Sequence, residues 1–281
     1  MSLLIADSGS SKTDWMIIKN GKLAKTIQTS GLNPFFCDEN KFASVILEEL
    51  KLSSKEIDAL EDVVFYGAGV KDSTKSKFVE KQLSKHFNTN RVSAYSDMLA
   101  AARATCGMDK GVCCILGTGS NSAYYDGKKI KTQNPSLGFM LGDEGSGTYL
   151  GKKVLQYYFY NTFDDELKEA FLQQYGGDLT DILNNVYHRP FPNKYIASFT
   201  SFLIDHRGHY MVENIIEDSL IDFHQKHVLK YRESWKYPVH FVGTVAYEFR
   251  DIIKELHASY GLVTGTITKA PKNGLVAYHT Q

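Results

Sequence analysis

Residues 3–14, LLIADSGSSKTD, begin with Leu3, Leu4 and Ile5, an apolar run that reads as a buried strand. The strand ends on Asp7 and the chain turns through Ser8, Gly9, Ser10 and Ser11. Small residues in such a turn let backbone amides approach a bulky anion closely. Trp15, Met16, Ile17 and Ile18 read as a second strand, closed by the hairpin dipeptide Asn20-Gly21. A carboxylate ending one strand, a small-residue turn and an antiparallel return suit Mg²⁺ held beside phosphates. Taken alone, the stretch is equally an ordinary hairpin with a serine-rich turn. Two better-known phosphate motifs are excluded. Ser10-Ser11-Lys12-Thr13 lacks the glycines of a P-loop, and neither Gly67-Ala68-Gly69 nor Gly117-Thr118-Gly119 has the third glycine of a dinucleotide fingerprint.

The opening pattern then recurs. Val112–Leu116 is an apolar strand, Gly117–Asn121 a small-residue turn and Ser122–Tyr125 a return strand, with Asp126-Gly127 closing the second hairpin. The repeat lies about a hundred residues after the first and argues for two matching lobes. The lobes are expected at 1–110 and 111–268, with a helical insertion in the second and a tail, 269–281, packing back on the first. Facing each other across a cleft, they would present two phosphate-holding turns.

Between and after the repeats, Lys41–Leu52 and Ser76–Phe87 have helical spacing, and Asp62–Gly69 and Val92–Tyr95 read as strands. Asp97 precedes MLAAARA (98–104), a strong helix former, which puts it at or near a helix N-terminus. Ser136–Gly151 is too glycine-rich for a regular element and carries Asp143 and Glu144. The aromatic stripe from Leu155 to Phe171 reads as core. Val239–Val242 is the last clear strand, followed by Gly243-Thr244 and a helix, an arrangement in which a ligand meets helix amides. His206, His209, His224 and His227 lack metal-ligand spacing and read as surface or capping residues.

The 281 residues carry 32 Lys+Arg and 32 Asp+Glu, so no global field draws in nucleic acid or a membrane surface. The four cysteines show no C-x-x-C spacing and read as buried thiols. The chain opens straight into a strand, and no apolar run approaches the roughly 18 residues of a membrane span. These features predict a soluble cytoplasmic protein.

Together, DSGSSKTD (7–14), YSDMLAAARA (95–104), LGTGSNS (116–122), GFMLGDEGSG (138–147), VHFVGTV (239–245) and APKNGLVAYH (270–279) resemble the actin-like ATPase and sugar kinase superfamily. Within it, the chain is similar to the BadF-type ATPase and N-acetylglucosamine kinase family. The resemblance implies an α/β protein of two ribonuclease-H-like lobes with ATP and a sugar in the cleft. Residue by residue, Asp7 matches the Mg²⁺-associated position, and Gly9, Ser10, Ser11, Lys12 and Thr13 the first phosphate turn. Thr118 and Gly119 match the second phosphate turn, and Gly243 and Thr244 the adenosine side. Asp97 matches the general base. Asn33, Ser120, Asn121, Gly138 and Asp143 match sugar contacts. One departure bears on the acceptor: Ser136-Leu137-Gly138 stands where relatives resembling the animal enzyme carry Gly-Trp-Gly, which removes a stacking surface.

The activity so implied is ATP-dependent phosphorylation of N-acetylglucosamine, glucosamine or N-acetylmuramic acid, with Mg²⁺. A homodimer is compatible with the sequence. Two alternatives stand beside it. An ATPase activator feeding electrons to a dehydratase would need bridging cysteines, for which Cys113-Cys114 within a strand is a poor candidate. A non-catalytic sugar or nucleotide sensor would have no need to keep Asp97.

Overall fold

The computed structural model describes residues 2–281. The chain divides into two compact units, one formed by residues up to Asp109 together with Pro271–Gln281, the other by Lys110–Ala270. Among the described residues, no helix is long and apolar enough to cross a membrane.

The first unit is built on five strands: β1 (Ser2–Ser8), β2 (Lys12–Lys19), β3 (Lys22–Ser30), β4 (Asp62–Gly67) and β5 (Val92–Ser96). They lie in the order β3-β2-β1-β4-β5, with β1–β3 an antiparallel meander and β4 and β5 added parallel to β1. Both hairpin strands extend further than the apolar runs suggest, so the turn between β1 and β2 shrinks to Gly9–Ser11. Alternation along β1 sends Leu4 and Ala6 to a core with Trp15, Phe42, Phe65 and Val79. Leu3 and Ile5 go to the other face, against Met16, Tyr66, Ala100 and Leu275. Helices α1 (Glu39–Ser44), α2 (Ser54–Asp58), α3 (Ser73–Ser84) and α4 (Asp97–Cys106) complete this part of the chain, with a π-helical stretch, Val45–Leu50, continuing from α1.

The second unit repeats that plan. Strands β6 (Gly111–Leu116), β7 (Ser120–Tyr125), β8 (Ile130–Gln133), β9 (Val239–Val242) and β10 (Thr264–Thr268) are ordered β10-β9-β6-β7-β8, which is the first sheet's order read from its other edge. Strand β10 has no counterpart in the sequence reading. Between β8 and β9 lie α5 (Gly138–Leu141), α6 (Gly147–Phe159), α7 (Asp165–Tyr175), α8 (Leu179–Tyr187), α9 (Pro192–Ser198), α10 (Thr200–Asp205) and α11 (Tyr210–Lys226). The glycine-rich stretch is therefore more regular than expected, holding α5 and the first turns of α6, because Ser146 caps α6 by accepting from the Tyr149 amide. The aromatic stripe is core: Phe163, Leu167 and Phe171 are buried, and Phe171 stacks on Tyr158 with ring centroids 4.0 Å apart. Each such side chain contributes about 1.5–3 kcal/mol through burial. Helices α12 (Thr244–Glu248) and α13 (Arg250–Tyr260) connect β9 to β10. Last, α14 (Lys272–His279) returns to the first unit, where Leu275 is buried.

Of the four cysteines, Cys106, Cys113 and Cys114 are buried and Cys37 is half-buried. Burial also corrects one histidine reading. His224 lies in the core, its Nδ1 2.7 Å from the Leu220 carbonyl, and its ring meets the buried His257 edge-on at 5.2 Å.

Burial pushes the His257 imidazole down to about 3, helped by His224, and lowers His224 as well. Unfolded histidines take up a proton near pH 6.5, so the unfolded chain binds more protons below that pH. Stability is thus complete above about pH 6.5 and is lost as the pH falls toward the folded values. The urea midpoint should drop between pH 7.5 and pH 5. His257→Gln, which keeps a partner for the Thr264 hydroxyl that lies 2.8 Å from His257 Nδ1 but does not titrate, should reduce that drop. An equal drop in both proteins would exclude His257 as its source.

Candidate functional site

In the first unit, the turn Gly9–Ser11 is closed by the Gly9 amide donating to the Lys12 carbonyl at 2.9 Å. Beneath it, the buried Ser8 and Thr13 hydroxyls lie 2.7 Å apart, the Leu32 amide donates to Ser8 Oγ, and Thr13 donates to the Ser30 carbonyl. A Cβ built on Gly31 would lie 2.5 Å from the Gly9 carbonyl oxygen, so the chain after β3 crosses this turn backbone against backbone. Asn33 reaches the turn as well: its Nδ2 donates to Ser10 Oγ at 2.9 Å and its Oδ1 accepts from the Phe35 amide. Ser10, Ser11 and Lys12 remain exposed.

Asp7, near the end of β1, pairs in register with Asp14 of β2, whose carboxylate is 3.2 Å from Lys12 Nζ. Asp97 is the first residue of α4, following β5. The helix cap is Ser96, which accepts from the Leu99 amide, while Asp97 Oδ1 accepts from the Met98 amide at 2.8 Å. Capping therefore does not require Asp97. Burial, then the charges of Asp14 and Asp97, push the Asp7 carboxyl up to about 7 against the opposing pull of Lys12. Burial likewise raises Asp97, with Lys71 acting the other way. Asp7 thus lies in a negative field that its own lysine does not neutralise, and that field fits a divalent cation. Among the described residues no group of three His, Cys, Asp or Glu gathers to hold a metal. The fitting mode is that of Mg²⁺, which binds one or two carboxylates and fills its octahedron with water and phosphate oxygens.

In the second unit, the Gly117 amide donates to the Gly119 carbonyl, forming a tight turn whose Thr118 side chain is exposed. The amides of Gly147 and Thr148 donate to the Gly117 and Thr118 carbonyls, which anchors the turn on the start of α6. Gly243, at φ +132°, crosses on the other side, where an added Cβ would lie 2.0 Å from the Leu116 carbonyl oxygen. Thr244 begins α12 beside it. Asp143 is a non-glycine residue at φ +58°, a conformation that costs about 1–3 kcal/mol and clusters at functional sites. Its carboxylate lies against Gly119 and accepts from the Ser120 amide; burial raises its pKa.

The second unit thus brings Thr118, Gly119, Ser120, Asp143, Gly243 and Thr244 together, and the first gathers Asp7, Gly9–Thr13, Asn33 and Asp97. Ser120 Oγ is buried with no hydrogen-bond partner, an acceptor and donor left open. Asn121 is turned along the sheet, its Oδ1 accepting from the Ser122 amide and from Gln133. Gly138 opens α5 and its carbonyl accepts from the Gly142 amide. Sequence reasoning missed Gly69, which holds Asn33, and the partners of Glu144, since both depend on contacts between distant segments.

No model of a protein family matches the chain, and no curated protein does. Among solved structures, a proposed N-acetylglucosamine kinase from Porphyromonas gingivalis is 39% identical, with a TM-score of 0.94 covering 99% of this chain and 98% of that one. A second proposed N-acetylglucosamine kinase, from Chromobacterium violaceum, is 16% identical (TM-score 0.77, 100% and 99% covered). A glucokinase of the ROK family from Streptomyces griseus, in complex with glucose and AMPPNP, is 15% identical (TM-score 0.59, 99% and 98% covered). The last two share the fold.

Gly69 gives a test of the Asn33 geometry. At φ +89°, an added Cβ would lie 2.2 Å from Asn33 Oδ1. Gly69→Ala should destabilise by at least about 1–3 kcal/mol from backbone strain, plus the cost of displacing Asn33. Asn33→Ala should remove the second part, so the double variant should lose less in urea unfolding than the two single losses added. Strict additivity would mean that Asn33 does not bear on Gly69.

Proposed function

The chain belongs to the N-acetylglucosamine kinase-like family of the Porphyromonas gingivalis protein, and we propose that it is an ATP-dependent sugar kinase whose acceptor is an amino sugar. N-acetylglucosamine, glucosamine or N-acetylmuramic acid would receive the γ-phosphoryl group on a hydroxyl. The observation that carries this reading is Asp97, a desolvated carboxylate on a helix that Ser96 already caps. Ser96 holds the N-cap position and Asp97 Oδ1 takes the Met98 amide, so the placement of Asp97 suits a group that receives a proton.

Phosphoryl transfer asks mainly for positioning and charge neutralisation, because its transition state is loose. Amides and hydroxyls of Gly9, Ser10, Ser11, Lys12 and Thr13, and of Thr118 and Gly119, would hold phosphate oxygens. Gly243 and Thr244 would take the adenosine side. Asp7 would hold Mg²⁺, which when bound would supply charge neutralisation at those oxygens. Asn33, Ser120, Asn121, Gly138 and Asp143 would hold the sugar, with the open Ser120 hydroxyl available to it. Asp97 would orient the acceptor hydroxyl and take its proton late in transfer.

Purified protein with Mg-ATP, assayed against a panel of hexoses and hexosamines, tests the reading. A site that hydrogen-bonds a substrate group can reject analogues lacking it by roughly 10⁴. We expect a marked kcat/KM preference for 2-amino or 2-acetamido sugars over glucose. Equal values across the panel would remove the amino-sugar assignment, and no phosphorylation at all would remove the kinase reading. Asp97→Asn should lower kcat by at least about 10²-fold and leave ATP affinity, by calorimetry, near wild type. Near-full activity in that variant would make another carboxylate the base.

A further inference from the structure

We propose that His227 is a positioning residue for the acceptor sugar, an inference that depends on the sugar-kinase reading above. His227 caps the C-terminus of α11, is 7% exposed, and lies with its ring stacked on Phe223 at 4.9 Å. Both of its ring nitrogens are committed. Nε2 is 3.3 Å from Glu144 Oε2, and Nδ1 is 3.4 Å from Ser122 Oγ. With Nε2–H donating to the carboxylate, Nδ1 faces the serine hydroxyl as an acceptor, and that hydroxyl also lies 3.0 Å from the Tyr231 hydroxyl. Its backbone carbonyl takes a third bond, from Asn134 Nδ2 at 3.2 Å.

Each of those partners belongs to a segment that carries candidate sugar contacts. Ser122 is in β7, directly after Ser120 and Asn121. Glu144 follows Asp143, whose left-handed backbone has to be held in place. Asn134 leads from β8 toward Gly138 and is held a second time, its amide donating to the Tyr231 hydroxyl at 2.8 Å. Tyr231 in turn donates to the Ser122 carbonyl at 2.9 Å. The imidazole therefore ties two segments to each other, those of Ser122 and Glu144, and the His227 backbone carbonyl ties a third, that of Asn134; four of the five candidate sugar contacts lie on or next to these segments. Lys226, 3.4 Å from Glu144 Oε1, steadies the other carboxylate oxygen. In the sequence this histidine lacks metal-ligand spacing and reads as a surface or capping residue; in the fold it has one ring nitrogen for each of two segments.

His227 should therefore govern sugar affinity and leave nucleotide affinity alone. His227→Leu fills the volume and cuts both ring bonds. The sugar KM should rise roughly 10- to 100-fold, the loss of one charge-assisted hydrogen bond, with the ATP KM within about twofold. His227→Gln, whose amide can donate to Glu144 and whose carbonyl can accept, should recover most of the sugar affinity. If His227→Leu does not fold, Glu144→Gln should give the same split in smaller measure. An unchanged sugar KM in a folded variant, a parallel rise in both KM values, or no recovery with glutamine would overturn the proposal. Those results come with an active wild type; a wild type that phosphorylates no sugar would remove the kinase reading and this inference with it.

Discussion

Where the central strand of each sheet ends, a second length of backbone crosses the turn too closely for any side chain to intervene. Gly31 does this over Gly9 and Ser10 in one unit, and Gly243 over Leu116 and Gly117 in the other. The crossing clamps each turn between its own hairpin and a neighbouring segment, so its amides and hydroxyls are oriented before anything binds. Ordering a loose loop on binding would be subtracted from affinity. Here most of that ordering is already done by folding. The rest of each unit serves this arrangement: five strands bring the turn to one sheet end, and helices cover the faces that the strand alternation makes apolar.

Electrostatics in the first unit runs against stability. Asp7 and Asp14 face each other in register, and like charges so placed repel. Burial adds to the cost, and Lys12 offsets only part of it. A fold selected only for stability would not gather these groups, which is why perturbed carboxylates point to function. In the second unit, the strained Asp143 backbone carries the same implication, with Glu144 and His227 supplying the restraint.

Much of this was legible in the sequence, for local reasons. The two hairpins announce themselves by an apolar run, a small-residue turn and an Asn-Gly or Asp-Gly closure, all within about twenty residues. Their recurrence gave the two-lobed α/β plan. What stayed hidden depends on distance along the chain. Thr264–Thr268 is short, only partly buried and without apolar alternation, so β10 becomes a strand only because β9 offers it an edge. The Glu144 and His227 pair is 83 residues apart, and no spacing rule covers it. Ser136–Gly151 read as irregular because glycines weaken helix propensity, whereas the Ser146 cap starts α6 within it. Placement of the candidate residues on turns and helix starts followed from local pattern; their partners did not.

The return of α14 to the first unit has a consequence for how the protein is made. Leu275 is wholly buried among Leu3, Ile5, Met16, Ile18, Tyr66 and Ala100, and His279 reaches the Tyr66 hydroxyl at 2.8 Å. Tyr66 in turn accepts from Arg103 of α4, the helix that begins at Asp97. Residues 110–270 are all synthesised before α14 emerges, and they form a compact unit. On the ribosome, the inserted unit can therefore finish first, while α4 alone covers that face of the earlier sheet until residues 272–279 emerge. The helix carrying Asp97 packs on its own sheet beforehand and gains α14 on its other side only then, so the backing of that helix is finished after the inserted unit.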